Sequence, residues 1–165
     1  MADRAMDVYL NDHLAGATLG SNLAAQIRDR HEGTPLGEVM RTIAAQVEED
    51  RRTLIALMER LDVSSNPVKR ASGWVAEKAS QVKFSGVASG EPDHGAFMAL
   101  ESLTLGVLGK LSLWQALEQV ESDYPQLAPA DLDELVARAE AQHATLEQQR
   151  LAAGKRALAN DGNAR

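Results

Sequence analysis

Two histidines and one aspartate, His13, Asp50 and His143, make a donor set suited to a single transition-metal ion, because such ions favour mixed imidazole and carboxylate ligands. A second pattern, Glu140-Ala141-Gln142-His143, spaces a carboxylate and an imidazole three residues apart, which puts both on one face of a helix. Other chemistries find little to work with. The chain has no Cys, so thiolate nucleophiles, disulfides and Cys-based zinc or iron-sulfur sites are excluded. Ser72-Gly73 and Ser85-Gly86 lack the surroundings of a nucleophile elbow, and no Gly-rich loop leads into Lys-Ser or Lys-Thr to cradle a phosphate.

Whether the metal-type ligands meet depends on the elements that carry them. Among 165 residues there are 27 Ala and 21 Leu but only 4% aromatics, a mix that favours helix over sheet. That length suits one domain able to bury its own core. Proline falls where a first helical turn would begin, at Thr34-Pro35, Asn66-Pro67 and Ala128-Pro129, with Thr34 and Asn66 able to cap. The predicted helices span 7–31, 35–62, 67–83, 93–121 and 130–159, in a single domain 1–159 followed by a frayed tail, 160–165. Short joints near 32–34 and 122–129 make the first two helices one antiparallel hairpin and the last two another. The link 63–92, with its own helix, is long enough to travel the length of the bundle.

Apolar spacing then assigns the inward faces. In the second helix, Leu36, Met40, Ile43, Val47, Asp50, Leu54, Leu57 and Leu61 alternate steps of four and three, a packing seam with one charge in it. The first helix offers Tyr9, His13, Gly16, Gly20, Leu23 and Ile27, whose glycines would admit a close neighbour. Leu100, Leu103, Val107, Lys110, Trp114 and Leu117, with Leu105, Leu108 and Leu111 nearby, make 93–121 the helix expected to be most buried. The last helix presents Leu132, Val136, Ala139, His143, Leu146, Arg150 and Ala153.

With the two middle long helices parallel and residues 36 and 93 level, Lys110 falls level with about residue 53, close to Asp50, His13 and His143. A polar cluster at mid-bundle follows. A lone carboxylate on a Leu-rich seam is costly, so Asp50 bridging Lys110 and His13 is the preferred reading. A metal held by His13, Asp50 and His143 is the alternative, opposed by the Lys110 ammonium, which repels a cation. Across the last hairpin Glu101 falls level with Arg150 and is expected to pair with it.

The layout of two hairpins and a bundle-length crossover resembles the ferritin-like four-helix bundle. Tyr9-Leu10-Asn11-Asp12-His13-Leu14-Ala15-Gly16, Glu48-Glu49-Asp50-Arg51, Asn66-Pro67-Val68-Lys69, Trp74 with Glu77-Lys78, and Gly109-Lys110 ahead of Trp114 together resemble an uncharacterised bacterial family near the ferritin-like proteins. The resemblance covers residues 7 to 159 and implies a fold rather than an activity. A di-iron centre in that architecture takes one carboxylate from each of two helices and Glu-x-x-His from each of the others. Only Glu140 and His143 fit that motif. The second helix reads Glu49-Asp50-Arg51-Arg52, with Arg52 in the place of His, so Asp12 or His13 and Glu101 would have to complete the set. Glu101 and Glu140 are offset by about 15 Å along the axis, too far for ligands of metals about 3.5–4 Å apart.

No catalytic, cofactor-binding or metal-binding residue is therefore assigned, and no cofactor is expected. The function read from the sequence is that of a soluble, non-catalytic helical bundle acting through a protein partner or as a homo-oligomer. The alternative is an iron-dependent oxidase or iron-binding protein with a remodelled centre at His13, Glu49, Asp50, Glu140 and His143. A net charge of −7 and a pI near 5.1 argue against nucleic-acid binding. The acidic outer faces, Glu118 and Glu121 included, read as solvated surface. Acids at the start of the chain do not suit a signal peptide, and 100–117, with Glu101, Lys110 and Gln115, reads as too short and too polar for a bilayer, so a cytoplasmic protein is expected.

Overall fold

A computed structural model describes residues 4–65 and 92–159. The predicted helix 67–83, with Trp74 and the Asn66-Pro67 start, and the tail 160–165 lie outside the described residues. Those described form four helices, α1 (Arg4–Arg30), α2 (Pro35–Arg60), α3 (Pro92–Glu118) and α4 (Leu132–Leu158), with 3-10 turns at Glu121–Asp123 and Pro125–Leu127 and no strand among them. The all-α expectation holds.

The ends of α2 are set by local chemistry. Thr34 accepts a hydrogen bond from the Gly37 amide, and Pro35 occupies the first turn, where it forfeits no hydrogen bond. Gly37 is buried against the turn from α1, and a Cβ there would meet the His31 carbonyl oxygen at 2.1 Å. At the other end Asp62 takes φ 56°, while the Val63 and Asp62 amides reach back to the Met58 and Glu59 carbonyls. That pair of bonds is a Schellman stop, closed here by Asp rather than Gly. Pro129 does not open the last helix as predicted. Asp131 caps α4 by accepting from the Glu134 amide, and Pro129 lies in the preceding turn.

Residue pairings give the helix directions. Phe97 meets Gly154, Glu101 meets Arg150 and Lys110 meets Gln142, so α3 and α4 run antiparallel. Gln46 meets Gln142 and Asp50 meets Arg138, so α2 and α4 are antiparallel too, which leaves α2 and α3 parallel. The extensive contacts are within the pairs α1–α2 and α3–α4; α1 packs on α3 next, and α2 approaches α4 sparsely.

The core is two apolar layers. One gathers Leu10, Leu14, Leu57, Trp114, Leu117 and Leu135, the other Ile27, Met40, Ile43, Leu100, Val107 and Leu146. The α2 seam lies inward as read, Asp50 included, with Leu36 half-buried. Three expectations are corrected. In α1 the buried row is Leu10, Asn11, Leu14, Ala15, Ala24 and Ile27, and a Cβ at Gly16 or Gly20 would meet open space, so these glycines admit no close neighbour among the described residues. In α4 Leu135 and Gln142 are buried where Val136 and His143 were expected. In α3, expected to be the most buried helix, Leu105 and Leu108 are exposed, 54% and 39%, so that helix is apolar on both sides and buries no more residues than α2. Beginning at Pro92, α3 is long and apolar enough to cross a membrane by length and composition, with a mean hydropathy of 1.4 over its most apolar stretch, which the reading of 100–117 did not anticipate. Its inward half packs in the bundle core.

Candidate functional site

Between the two apolar layers lies a buried polar cluster centred on Asp50, which is 2% exposed. Position 50 continues the three-and-four spacing of α2, so the backbone delivers its carboxylate to the interior whatever its chemistry. Lys110, from the parallel helix α3, donates to Asp50 Oδ2 at 2.5 Å and also to Gln142 Oε1. Gln142 donates from Nε2 toward both Asp50 Oδ2 and Gln46 Oε1, at 3.2 Å each. Arg138 approaches from α4: Nη2 lies 3.0 Å from Asp50 Oδ1 and Nη1 lies 3.0 Å from Glu49 Oε1. The Arg138–Asp50 approach is off the hydrogen-bonding direction and acts as an ion pair, and the buried Arg138 Nε has no hydrogen-bond partner among the described residues.

The electrostatics follow from burial. Desolvation pulls Lys110 below its usual pKa, the charge of Asp50 and its hydrogen bond oppose that pull, and Arg138 adds to it. Paired donors on two neighbouring helices are what keep such a carboxylate tolerable in an apolar interior.

Of the residues read as a cluster from the sequence, the structure brings Lys110 to Asp50 and leaves the histidines out. His13 packs edge-on against Tyr9, ring centroids 4.6 Å apart, and burial holds its pKa below the ordinary value, with Asp12 opposing. His143 gives way to Gln142 because a step of three, not four, leads inward from Ala139. The bridge from Asp50 to His13 is replaced by Arg138 and Gln142, which the sequence reading missed. Their signal was the spacing of Leu135, Arg138 and Gln142, three and four apart, on the face that meets α2. Among the described residues, no three His, Asp or Glu side chains come together as a metal set. His13, Asp50 and His143 therefore do not assemble a site, nor do Glu49 and Glu140 with them. Glu101 is taken by Arg150 at 3.1 Å, as expected.

A second polar contact lies on the α1–α2 flank. Glu48 accepts from Ser21 at 2.7 Å and from Arg51 and Arg52, and these bonds, Arg51 foremost, hold its carboxyl down at about 2. A depressed carboxyl pKa stabilises the fold above its unfolded value, and the contribution is lost as pH falls from about 4.5 toward 2. Glu48→Gln is expected to cost about 1 kcal/mol at neutral pH, the full linkage value being reduced by solvent screening. The variant should also show a flatter loss of urea stability over that acid window; an unchanged acid profile would contradict the assignment.

Two grooves border these elements. One of about 300 Å³ opens between α2 and α4 beside the cluster, lined by Val39, Thr42, Ile43, Gln46, Gln142 and Thr145 among others. Another of about 460 Å³ lies along α3 and α4 at Phe97, Leu151, Gly154 and Leu158. Comparison with protein-family models, with curated proteins and with solved structures gives no match.

Proposed function

We propose that this protein is a soluble, cytoplasmic bundle that works by association, with a second copy or another protein, rather than by catalysis. The observation that carries the reading is the pairing of Asp50 with Lys110, Arg138 and Gln142. The mid-bundle carboxylate, the natural first ligand of a remodelled metal centre, is already engaged by two cations and an amide. A metal ion there would have to displace Lys110 and meet the repulsion of Arg138. Exposed Leu105 and Leu108 on α3 and Leu151 and Leu158 on α4 give association an apolar surface to use.

The ferritin-like arrangement belongs to the same proposal. It is supported by α2 and α3 running parallel, so that the end of α2 and the start of α3 lie at opposite ends of the bundle.

Light scattering across a concentration series and metal analysis of protein prepared with iron or manganese test the reading together. The expected result is a mass above 17.8 kDa, or a defined complex with a protein partner, and no stoichiometric metal. A strict monomer that recovers no partner would count against association, and bound iron with ferrous oxidation would replace the proposal by the oxidase alternative.

A further inference from the structure

The four seams of this bundle are not alike. Within the hairpins, α1–α2 and α3–α4 are in extensive contact, and α1 packs on α3 through apolar side chains of both core layers, Leu14 and Ile27 facing a helix that contributes Val107, Leu113 and Trp114. The α2–α4 seam is different: close approach is sparse, a groove of about 300 Å³ runs along it, and its specific bonds are polar. Glu49 and Asp50 pair with Arg138, Gln46 and Asp50 accept from Gln142, and Asp50 accepts also from Lys110 of α3, which joins the same two hairpins. All these bonds lie within little more than one turn of each helix.

We propose that this set is a clasp, and that the two hairpins part along the α2–α4 seam, hinging on the apolar α1–α3 contact, when the clasp is released. An apolar seam resists opening along its whole length in proportion to the area it buries. Across the α2–α4 seam the apolar layers adjoin the clasp on either side, with Leu57 and Leu135 in one and Ile43 and Leu146 in the other, and at the level between them losing Arg138 removes the pairs to both Glu49 and Asp50 at once, leaving Asp50 to Lys110 and Gln142. Opening uncovers Ile43, which lines the groove and is buried at 4% exposure when the seam is closed. It leaves the α1 side of α2 untouched. There Ala44, 5% exposed, lies one turn before Glu48, whose bond to Ser21 fixes that flank against α1.

The absence of Cys from the chain makes the test direct. Ile43→Cys and Ala44→Cys are made separately in the otherwise unaltered chain and again with Arg138→Met, and thiol labelling is followed in native buffer with helical circular dichroism as the check on folding. Release of the clasp is expected to raise the labelling rate of the thiol at position 43 by about tenfold or more, with that at position 44 changed less than about twofold. Equal acceleration at both positions would show that Arg138 supports global stability only, and would overturn the clasp. Unchanged labelling at position 43 would overturn it as well, since the seam would then stay shut without the Arg138 pairs on which release is argued. Gln142→Leu, which removes the bonds to Gln46, Asp50 and Lys110 while leaving both Arg138 pairs in place, should give a smaller acceleration confined to position 43.

Discussion

Asp50→Asn is expected to cost about 3–5 kcal/mol of folding stability, the range for breaking a buried ion pair from one side. The side chain keeps its shape, so packing of the α2 seam is preserved and the loss is electrostatic. Among the described residues Lys110, 13% exposed, would keep Gln142 as its acceptor, and Arg138 would retain Glu49 as its ion-pair partner. A domain of this size has about 5–15 kcal/mol in hand, so urea denaturation should show a large fall in midpoint and calorimetry a drop in Tm of roughly 10 °C. The cost belongs to Lys110, left without its buried counter-charge, rather than to any intrinsic value of the pair. Asp50→Leu combined with Lys110→Met and Gln142→Leu should therefore recover most of it, since apolar replacement of a whole buried network is often neutral or stabilising. If Asp50→Asn costs less than about 1 kcal/mol, the carboxylate is not paired in solution as it is in the structure.

The second large effect is at Trp114, 1% exposed in the layer with Leu10, Leu57 and Leu117. Trp114→Ala should cost about 3–5 kcal/mol, the transfer of the ring plus the cavity left behind. Its indole Nε1 is buried with no hydrogen-bond partner among the described residues, a desolvation cost the protein already bears. Trp114→Phe removes that N–H while keeping much of the ring, so its loss should be only about 1 kcal/mol. Equal losses for the two variants, measured by urea denaturation, would mean the indole N–H is satisfied after all.

Much of this bundle can be read without coordinates, and the places that cannot have physical causes. The α2 seam is legible because the apolar residues from Leu36 to Leu61 hold strict three-and-four spacing around Asp50, and no alternative face of that helix is as apolar. Lys110 could be placed level with Asp50, and Arg150 with Glu101, because rise per residue converts chain position directly into depth. Composition limited the rest. In α4 both Val136 and Leu135, and both His143 and Gln142, satisfy the spacing, and a step of three or of four cannot be chosen from one helix alone when apolar residues are this sparse. In α1 the glycines suggested a contact that packing among the described residues does not use. Arg138 was missed because a long side chain can reach the interior from the flank of a helix, which a pattern of apolar positions does not register.

The uneven seams also order the folding reaction. Contacts within each hairpin join residues near in sequence, whereas the clasp joins residues far apart: 60 positions separate Asp50 from Lys110, and 96 separate Gln46 from Gln142. Closing loops of that size costs entropy before any bond repays it, so the hairpins are expected to form before the contacts between them, polar and apolar alike. Interactions completed after the rate-limiting step hold the native state against escape without hastening its arrival. The contacts between the hairpins, the buried charges among them, accordingly govern how long the folded molecule persists, while those within each hairpin govern how fast it is reached.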